Sequence, residues 1–250
     1  MAIPRSERMK LGVLSAALLA MTALFPACSA SVASAIGADG SLRVSIHAEV
    51  PSALAVKFRK LADLGSGGIS KGPFFDLEAI RKSLAARPGL VIDEIGQPGP
   101  DSVRLILSAR NMAELAASPD FKDTGLITIS NGPDWAECRF RMERGAAKVL
   151  ASLLPGIDPY LMDALSPPAL EEDPVTVDEY RTMLASILGE RAMPAMEAAS
   201  LDLSISAPGE VIGSGGGILS GSTLATKVSL IDVLVLEKPI ELWMRWKVKR

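Results

Sequence analysis

Hydrophobic and polar residues alternate strictly in two stretches, one near each end of the chain. Apolar side chains alternate with Arg43, Ser45, His47 and Glu49 in residues 42–50, and with Glu241, Trp243, Arg245 and Lys247 in residues 240–248. Because alternate residues of a strand point to opposite faces, each stretch predicts a half-buried β-strand. In the second stretch Trp246 is expected to face the core. Trp243 is expected to share the polar face with Arg245 and Lys247.

Other segments follow a helical or a strand-like pattern between these two stretches. Apolar spacing predicts helices over residues 52–64, 77–86 and 111–117, the second capped by Asp76. Turn residues separate a further set of predicted strands. These strands are expected at residues 89–95, 102–109, 126–130, 136–142, 201–206 and 228–237.

Residues 143–198 are helical in pattern and are interrupted by prolines. Helices are expected near residues 143–154 and 158–165. Thr176 and Glu179 match a capping box at the start of another helix. That helix carries an apolar stripe that is expected to pack in the core, formed by Tyr180, Met183, Leu184, Ile187 and Leu188.

The order of these elements predicts an α+β fold. An antiparallel or mixed sheet is expected to combine strands from both chain ends, with a helical layer against it. We expect one domain over residues 41–250, with a helical insertion at about 143–198. The strands at the two ends are expected to share a sheet.

Residues 1–27 have the layout of a secretory signal peptide, with basic residues first and then an uncharged apolar run at 11–25. The run is shorter than the roughly 20 residues that a permanent membrane-spanning helix needs. The residues at its end resemble a lipobox, the motif at which lipoprotein signal peptidase cleaves: Leu24-Phe25-Pro26-Ala27-Cys28.

This layout predicts a lipoprotein that is cleaved before Cys28 and carries acyl chains such as palmitate on that residue. Two or more chains give stable attachment, here to the extracytoplasmic side of a bacterial membrane. Residues 28–40 are expected to form the lipidated cysteine and a flexible tether, since most of them are small. Three alternatives remain open: a secreted protein cleaved after Ala35, an uncleaved anchor, and a cytosolic protein with a buried N-terminal helix.

Composition and charge narrow the classes of partner. The chain of 250 residues is 48% hydrophobic, 22% charged and 4% aromatic, with a formal net charge of −3. Few aromatic rings and a mildly acidic balance argue against nucleic acid as a partner. Of the two cysteines, Cys28 is assigned to lipid, so no disulfide is expected. Cys138 alternates with arginines and is expected to point inward on a strand.

No catalytic, metal or cofactor site is expected. His47 is the sole histidine, and it is expected at the surface on the polar face of its strand. Asp93 and Glu94 are neighbours in a predicted strand and are therefore expected on opposite faces. The acidic residues 171–173 are expected in a solvated loop, and the glycine-rich residues 213–217 in a flexible hairpin turn.

Residues 201–246 resemble LppM-type lipoproteins. The resemblance lies in an alternating strand from Leu201, then Pro208-Gly209 and Val211, then the glycine-rich stretch. Asp39-Gly40 before the first alternating strand is similar as well. The resemblance implies a membrane-attached extracytoplasmic lipoprotein with an α+β domain and a role in handling glycolipid. It carries over no functional residues.

Together these features predict a membrane-anchored lipoprotein whose domain binds lipid or another envelope component and is not an enzyme. Attachment is expected to rest on Cys28 alone, because no apolar helix follows Trp246. The alternative is a structural or assembly lipoprotein that docks an envelope protein. An apolar cavity would favour the first role, and an exposed apolar patch, sought first at residues 155–175, would favour the second.

Overall fold

The computed structural model describes residues 29–66, 73–119, 121–122, 124–144, 147, 159–171 and 175–248. The strands are β1 (Ser29–Ile36), β2 (Leu42–Glu49), β3 (Leu90–Gly96), β4 (Ser102–Ala109), β5 (Ile127–Asn131), β6 (Trp135–Met142), β7 (Ser200–Ser206), β8 (Val211–Gly215), β9 (Ile218–Ser220), β10 (Thr223–Ser229) and β11 (Ile240–Lys247). The helices are α1 (Ser52–Ser66), α2 (Leu77–Ala85), α3 (Met112–Ala116), α4 (Pro159–Leu165), α5 (Val177–Leu188), α6 (Met193–Ala198) and α7 (Leu230–Val235), with a 3-10 turn at Glu190–Ala192.

The strands form two sheets. The large sheet has seven strands in the order β3-β4-β2-β1-β7-β10-β9, and the small sheet has four in the order β5-β6-β11-β8. In the large sheet β1 pairs with β7 in parallel, and the neighbouring pairs are antiparallel. The predicted α+β fold with a mixed sheet is confirmed. The expectation that the strands at the two chain ends share a sheet is wrong, because β2 lies in the large sheet and the last strand, β11, lies in the small sheet, which was not predicted.

The prediction of a flexible tether over residues 28–40 is wrong for its described part. β1 begins at Ser29 and pairs along its length with β2, and from Ser29 to Ala35 with β7. Most of its side chains are small, and it lies in the middle of the sheet with a neighbouring strand on each side. The small, weakly hydrophobic residues of this strand are also typical of a linker. Its β-structure depends on pairing with β2 and β7, which the local sequence does not reveal.

One face of the large sheet packs against the rest of the protein. Leu105 and Leu107 of β4 belong to a core cluster with residues of α1 and α5, such as Leu54. Ile36 and Ile205 belong to a second cluster, which includes the inner face of the small sheet. The opposite face carries small and polar side chains, and its exposed residues include Ala33, Arg43, Ser45, Asp202 and Lys227. An open polar face is common in sheets dominated by antiparallel pairs.

The predicted cap and stripe of α5 are confirmed. The Thr176 hydroxyl accepts from the Glu179 amide at 3.3 Å, and the Glu179 carboxylate accepts from the Thr176 amide at 2.9 Å. Tyr180 is fully buried and donates to the Leu165 carbonyl at 3.0 Å. The predicted cap of α2 is confirmed too, since Asp76 accepts from two amides. Most of the helix expected at residues 143–154 lies outside the described residues.

The strand predicted at residues 228–237 is wrong beyond Ser229. The chain leaves β10 there and forms α7, whose first turn is capped by the Ser229 hydroxyl accepting from the Asp232 amide. Ile231 and Val235, four residues apart, are buried on one side of the helix. A short apolar run does not distinguish a buried helix from a buried strand by periodicity alone.

The glycine-rich stretch is two strands and a crossing, and the predicted flexible hairpin is wrong. β8 is an edge strand of the small sheet, and β9 is an edge strand of the large sheet. The chain passes from one to the other through Gly216 and Gly217. A Cβ atom on Gly216 would lie 1.8 Å from the Glu241 carbonyl oxygen, and one on Gly217 would lie 2.5 Å from that of Ala225. Glycine is therefore needed at both positions, because the backbone of the crossing lies close to the backbones of β11 and β10.

Candidate functional site

The predicted lipidation site and the first strand are adjacent in the chain. Cys28 and residues 1–27, predicted as the signal peptide, lie outside the described residues. β1 begins at the next residue, Ser29, whose partners in register are Glu49 of β2 and Ser200 of β7. The residue that follows the predicted lipidated cysteine is therefore already paired within the large sheet.

The two predicted cleavage positions have opposite consequences for this strand. Cleavage before Cys28 leaves β1 whole. Cleavage after Ala35, as expected for a secreted protein, leaves only Ile36 of β1 attached to the domain. The second product would have a gap between β2 and β7, because β1 is the strand that joins them.

His47 lies at the surface, as predicted. Its side chain is 43% exposed, and its Nε2 atom is 4.0 Å from the carboxylate of Glu49 on the same strand. Across the sheet its partner in register is Arg104 of β4. This is an open, polar environment on the uncovered face of the large sheet.

Asp93 and Glu94 do not take the opposite faces that strict alternation predicted. The pairing register of β3 shifts between Ile92 and Glu94, so Asp93 occupies a β-bulge. Asp93 accepts from Ser108 at 3.0 Å, and Glu94 is 3.4 Å from Arg104. Ser108 and Arg104 share one face of β4, so both acids lie on that face. Asp93 is also paired with Arg43 at 3.2 Å, and the two carboxylates therefore face different arginines.

Cys138 points into the core between the sheets, as predicted, and is a free thiol. Burial, and to a smaller extent the nearby charge of Glu137, raises the pKa of this thiol to about 12. A thiolate is the nucleophilic form of cysteine, so this environment makes Cys138 inert in the folded protein.

We expect the Cys138 thiol of the folded protein to resist a thiol-specific disulfide reagent at pH 8 and to react once the chain is unfolded in guanidinium chloride. The folded state holds the thiol proton more tightly than the unfolded chain, whose pKa is near 9.0. The contribution of the Cys138 thiol to the free energy of unfolding is therefore complete below pH 9 and decreases as the pH rises toward 12. Rapid reaction without denaturant would contradict the buried placement.

The outer face of the small sheet carries a ladder of ion pairs. Glu137 is its least exposed member, with 11% of its side chain accessible. Its carboxylate lies 2.8 Å from Arg245 and 3.4 Å from Arg139. Arg139 also reaches Glu241 at 2.9 Å, and Glu241 is 3.7 Å from Arg141. The ion pairs of this ladder connect β6 to β11. Because positive and negative groups alternate along it, the ladder does not favour binding of either cations or anions.

Two tryptophans lie within this ladder, each between glycine and arginine. The guanidinium of Arg139 lies 5.8 Å from the Trp243 ring centre, and a Cβ atom on Gly215 would lie 2.4 Å from the same indole. The guanidinium of Arg245 lies 4.3 Å from the Trp135 ring centre. Cation–π contact of this kind contributes about 0.5–1 kcal/mol at exposed sites. Because each ring lies between backbone and a guanidinium, a role in packing on the sheet is favoured over a role in stacking against a ligand.

Replacing Glu137 with Gln is expected to lower the free energy of unfolding by about 1–2 kcal/mol, because the amide leaves Arg245 without its charged partner and Arg139 with Glu241 alone. Chemical denaturation measures this change. Glu143→Gln is the matched control, since that carboxylate is 49% exposed and lies 3.3 Å from Arg141. Its effect is expected to stay within about 0.5 kcal/mol. Equal losses for the two variants would contradict a central role for Glu137.

A groove of about 510 Å³ opens where the middle segment meets the end of α7. Its wall includes the charged residues Glu143, Arg144 and Glu237. Arg144 donates to the Val175 carbonyl at 3.1 Å, and Glu237 accepts from the Val177 amide at 3.1 Å. The wall also includes the apolar residues Val175, Leu236 and Pro239, but the groove is open to solvent, whereas acyl chains pack into enclosed apolar cavities.

Aliphatic side chains are exposed where β8 and β9 meet the sheet edges. The exposed fractions are 80% for Ile218, 47% for Ile212 and 41% for Leu219. β9 is also an edge strand, and one of its backbone sides has no strand neighbour in the large sheet. Exposed apolar residues on an edge strand can support contact with another chain. In the segment predicted as a docking site, Pro167 and Pro168 are buried and Tyr160 is 50% exposed; residues 155–158 and 172–174 lie outside the described residues.

Within the described ranges, no group of three or more histidine, cysteine, aspartate or glutamate side chains is placed to hold a metal ion. None of the helices in that part of the chain is long and apolar enough to cross a bilayer.

Comparison with known proteins returns one similar fold. No protein family model matches the sequence, and no curated protein matches it. Among solved structures, the chain is similar to the folded domain of Mycobacterium tuberculosis LppM, with 9% identity and a TM-score of 0.43. The match covers 90% of this chain and 94% of that one. The neighbour carries the name of the family that residues 201–246 resemble. A likeness this low supports no conclusion about membership or function.

Proposed function

We propose that this protein is a bacterial lipoprotein, anchored through lipid on Cys28, whose extracytoplasmic domain binds an envelope component and does not act as an enzyme. The central position of β1, Ser29–Ile36, in the large sheet supports this proposal most directly. Cleavage by lipoprotein signal peptidase preserves the central strand of the large sheet, and cleavage after Ala35 removes most of it. The signal-peptide layout of residues 1–27 supports export.

Membrane fractionation of the full chain in a bacterial host tests the anchor. The wild-type protein is expected in the membrane fraction, where detergent releases it and high salt does not. Cys28→Ser is expected to accumulate as the uncleaved precursor without lipid. Cys138→Ser is the matched control and is expected to behave as the wild type. The anchor proposal fails if Cys28→Ser is processed and fractionates like the wild-type protein.

The chemistry of the surfaces supports binding at the protein exterior more than enclosure of a lipid. The groove beside α7 is open and has three charged residues in its wall, and the rings of Trp135 and Trp243 each contact a guanidinium. Among the described carboxylates, Asp93, Glu94, Glu137 and Glu241 are each paired with arginine. Such pairing fits a structural role for these acids better than general acid or base chemistry.

The exposed aliphatic residues of β9 favour a second candidate, a lipoprotein that docks an envelope protein at this sheet edge. A photo-cross-linking residue at position 218 in intact cells would capture such a partner. The same residue at position 128, on the outer face of the small sheet, is the control. A specific adduct from position 218 alone supports docking, and identical products from both positions argue against it.

A further inference from the structure

The anchor proposed for Cys28 leaves almost no chain between lipid and sheet. Consecutive Cα atoms are about 3.8 Å apart, and Ser29 is already in β1. β1 is the middle strand of the seven, with three strands on each side. A lipid on Cys28 would therefore lie at the middle of one end of the large sheet.

That end, here called the anchor end, consists of the strand termini in register with the start of β1: Ser29, Glu49, Ser102, Ser200 and Ser229. The opposite end, here called the distal end, holds the turn between β1 and β2 at residues 37–41. The eight residues of β1 separate the two ends by about 26 Å at the usual rise of a strand.

The anchor end presents mainly apolar side chains beside one exposed carboxylate, that of Glu49. α1 starts there, and its exposed residues include Ala53 and Val56, the latter 51% exposed. The loop between β3 and β4 adds the exposed Pro98 and Pro100. The carboxylate of Asp101 in the same loop is paired with Arg59.

We propose that the anchor end of the large sheet rests directly on the lipid headgroups, so that the domain is held in one orientation. This inference rests on the proposed lipidation of Cys28. Its physical basis is the missing spacer: β1 is paired on both sides, so the domain cannot turn freely about a flexible linker. The partner at this surface is the phospholipid bilayer that holds the anchor.

This orientation determines which surfaces point away from the membrane. Ile36, Leu42 and Ile205, at or near the distal end of the large sheet, share a core cluster with Leu242 and Met244 of the small sheet. The small sheet therefore packs toward the distal end. Its tryptophan and arginine face is held away from the bilayer, where another envelope component has access to it.

Site-specific labels on the lipidated full-length protein test the orientation. Ala53→Cys places a thiol at the anchor end, and Ala38→Cys places one in the distal turn; both alanines are exposed. Lipid occupies the Cys28 sulfur, and Cys138 is buried, so a fluorophore attaches at the new position. Each labelled protein is reconstituted in phosphatidylethanolamine–phosphatidylglycerol vesicles that contain a lipid with a nitroxide on its headgroup.

Fluorescence at position 53 is expected to be quenched several-fold more than fluorescence at position 38. A ten-residue Gly-Ser linker inserted between Cys28 and Ser29 is expected to reduce that difference. Equal quenching at both positions in lipidated, vesicle-bound protein would overturn the orientation and leave the anchor intact. A protein whose N-terminal peptide carries no lipid, and which does not stay with the vesicles, would instead refute the anchor itself.

Discussion

A chain that begins at Ile36 is expected to lose the cooperative thermal unfolding of a chain that begins at Ser29. Removal of residues 29–35 deletes the middle strand of the large sheet and leaves β2 and β7 without a partner between them. Domains of this size are stable by only about 5–15 kcal/mol, so loss of two strand pairings exceeds what the fold tolerates. Circular dichroism during heating measures the transition. Equal melting temperatures for the two chains would contradict the role assigned to β1.

Substitutions at two neighbouring positions of β1 test the role of this strand without shortening the chain. Val32 packs against the core between the sheets, whereas Ala33 is exposed on the open face. Val32→Asp is expected to destabilise the domain by about 3 kcal/mol, because it places a carboxylate among apolar side chains. Ala33→Asp is expected to change stability by less than about 1 kcal/mol. Similar effects of the two would show that β1 is not embedded as described.

Gly216→Ala is expected to destabilise the domain by about 3 kcal/mol or more, one of the larger effects of a single methyl group. The residue has a φ of +84°, and the added Cβ would lie 1.8 Å from the carbonyl oxygen of Glu241. The crossing from β8 to β9 would have to move away from β11 to make room. Urea denaturation of the wild-type protein and of the Gly216→Ala variant gives the difference in free energy of unfolding.

Gly221→Ala is the matched control for this prediction. Gly221 also has a positive φ, +60°, but a Cβ atom there would meet no atom within 4 Å. Only the cost of a left-handed alanine, about 1–2 kcal/mol, is expected. Equal losses at the two glycines would mean that backbone conformation alone, and not the approach to β11, explains the requirement at Gly216.

Local patterns predicted the elements whose signals lie within a few residues. Strict alternation identified β2 and β11, and the Thr176–Glu179 capping box located the start of α5. β1 was missed because its serines and alanines are uninformative until β2 and β7 are placed beside them. α7 was mistaken for a strand because its cap, Ser229, is also the last residue of β10, and an apolar run continues directly from it.

The surfaces with candidate functions depend on register more than on local sequence. The alternation of β11 predicted that Trp243 lies on the polar face. It did not predict that Gly213 and Gly215 of β8 pair opposite this region and leave room for the ring. The bulge at Asp93 was missed for a similar reason, because a one-residue register shift leaves no distinct mark in the sequence.

Mass spectrometry of the mature N-terminal peptide, purified from bacterial membranes, tests the central claim most directly. The account predicts a peptide that begins at Cys28 and carries a thioether-linked diacylglycerol, followed by an intact β1 sequence from Ser29. A mature protein that begins at Ile36, or a precursor that keeps residues 1–27 without lipid, would contradict it.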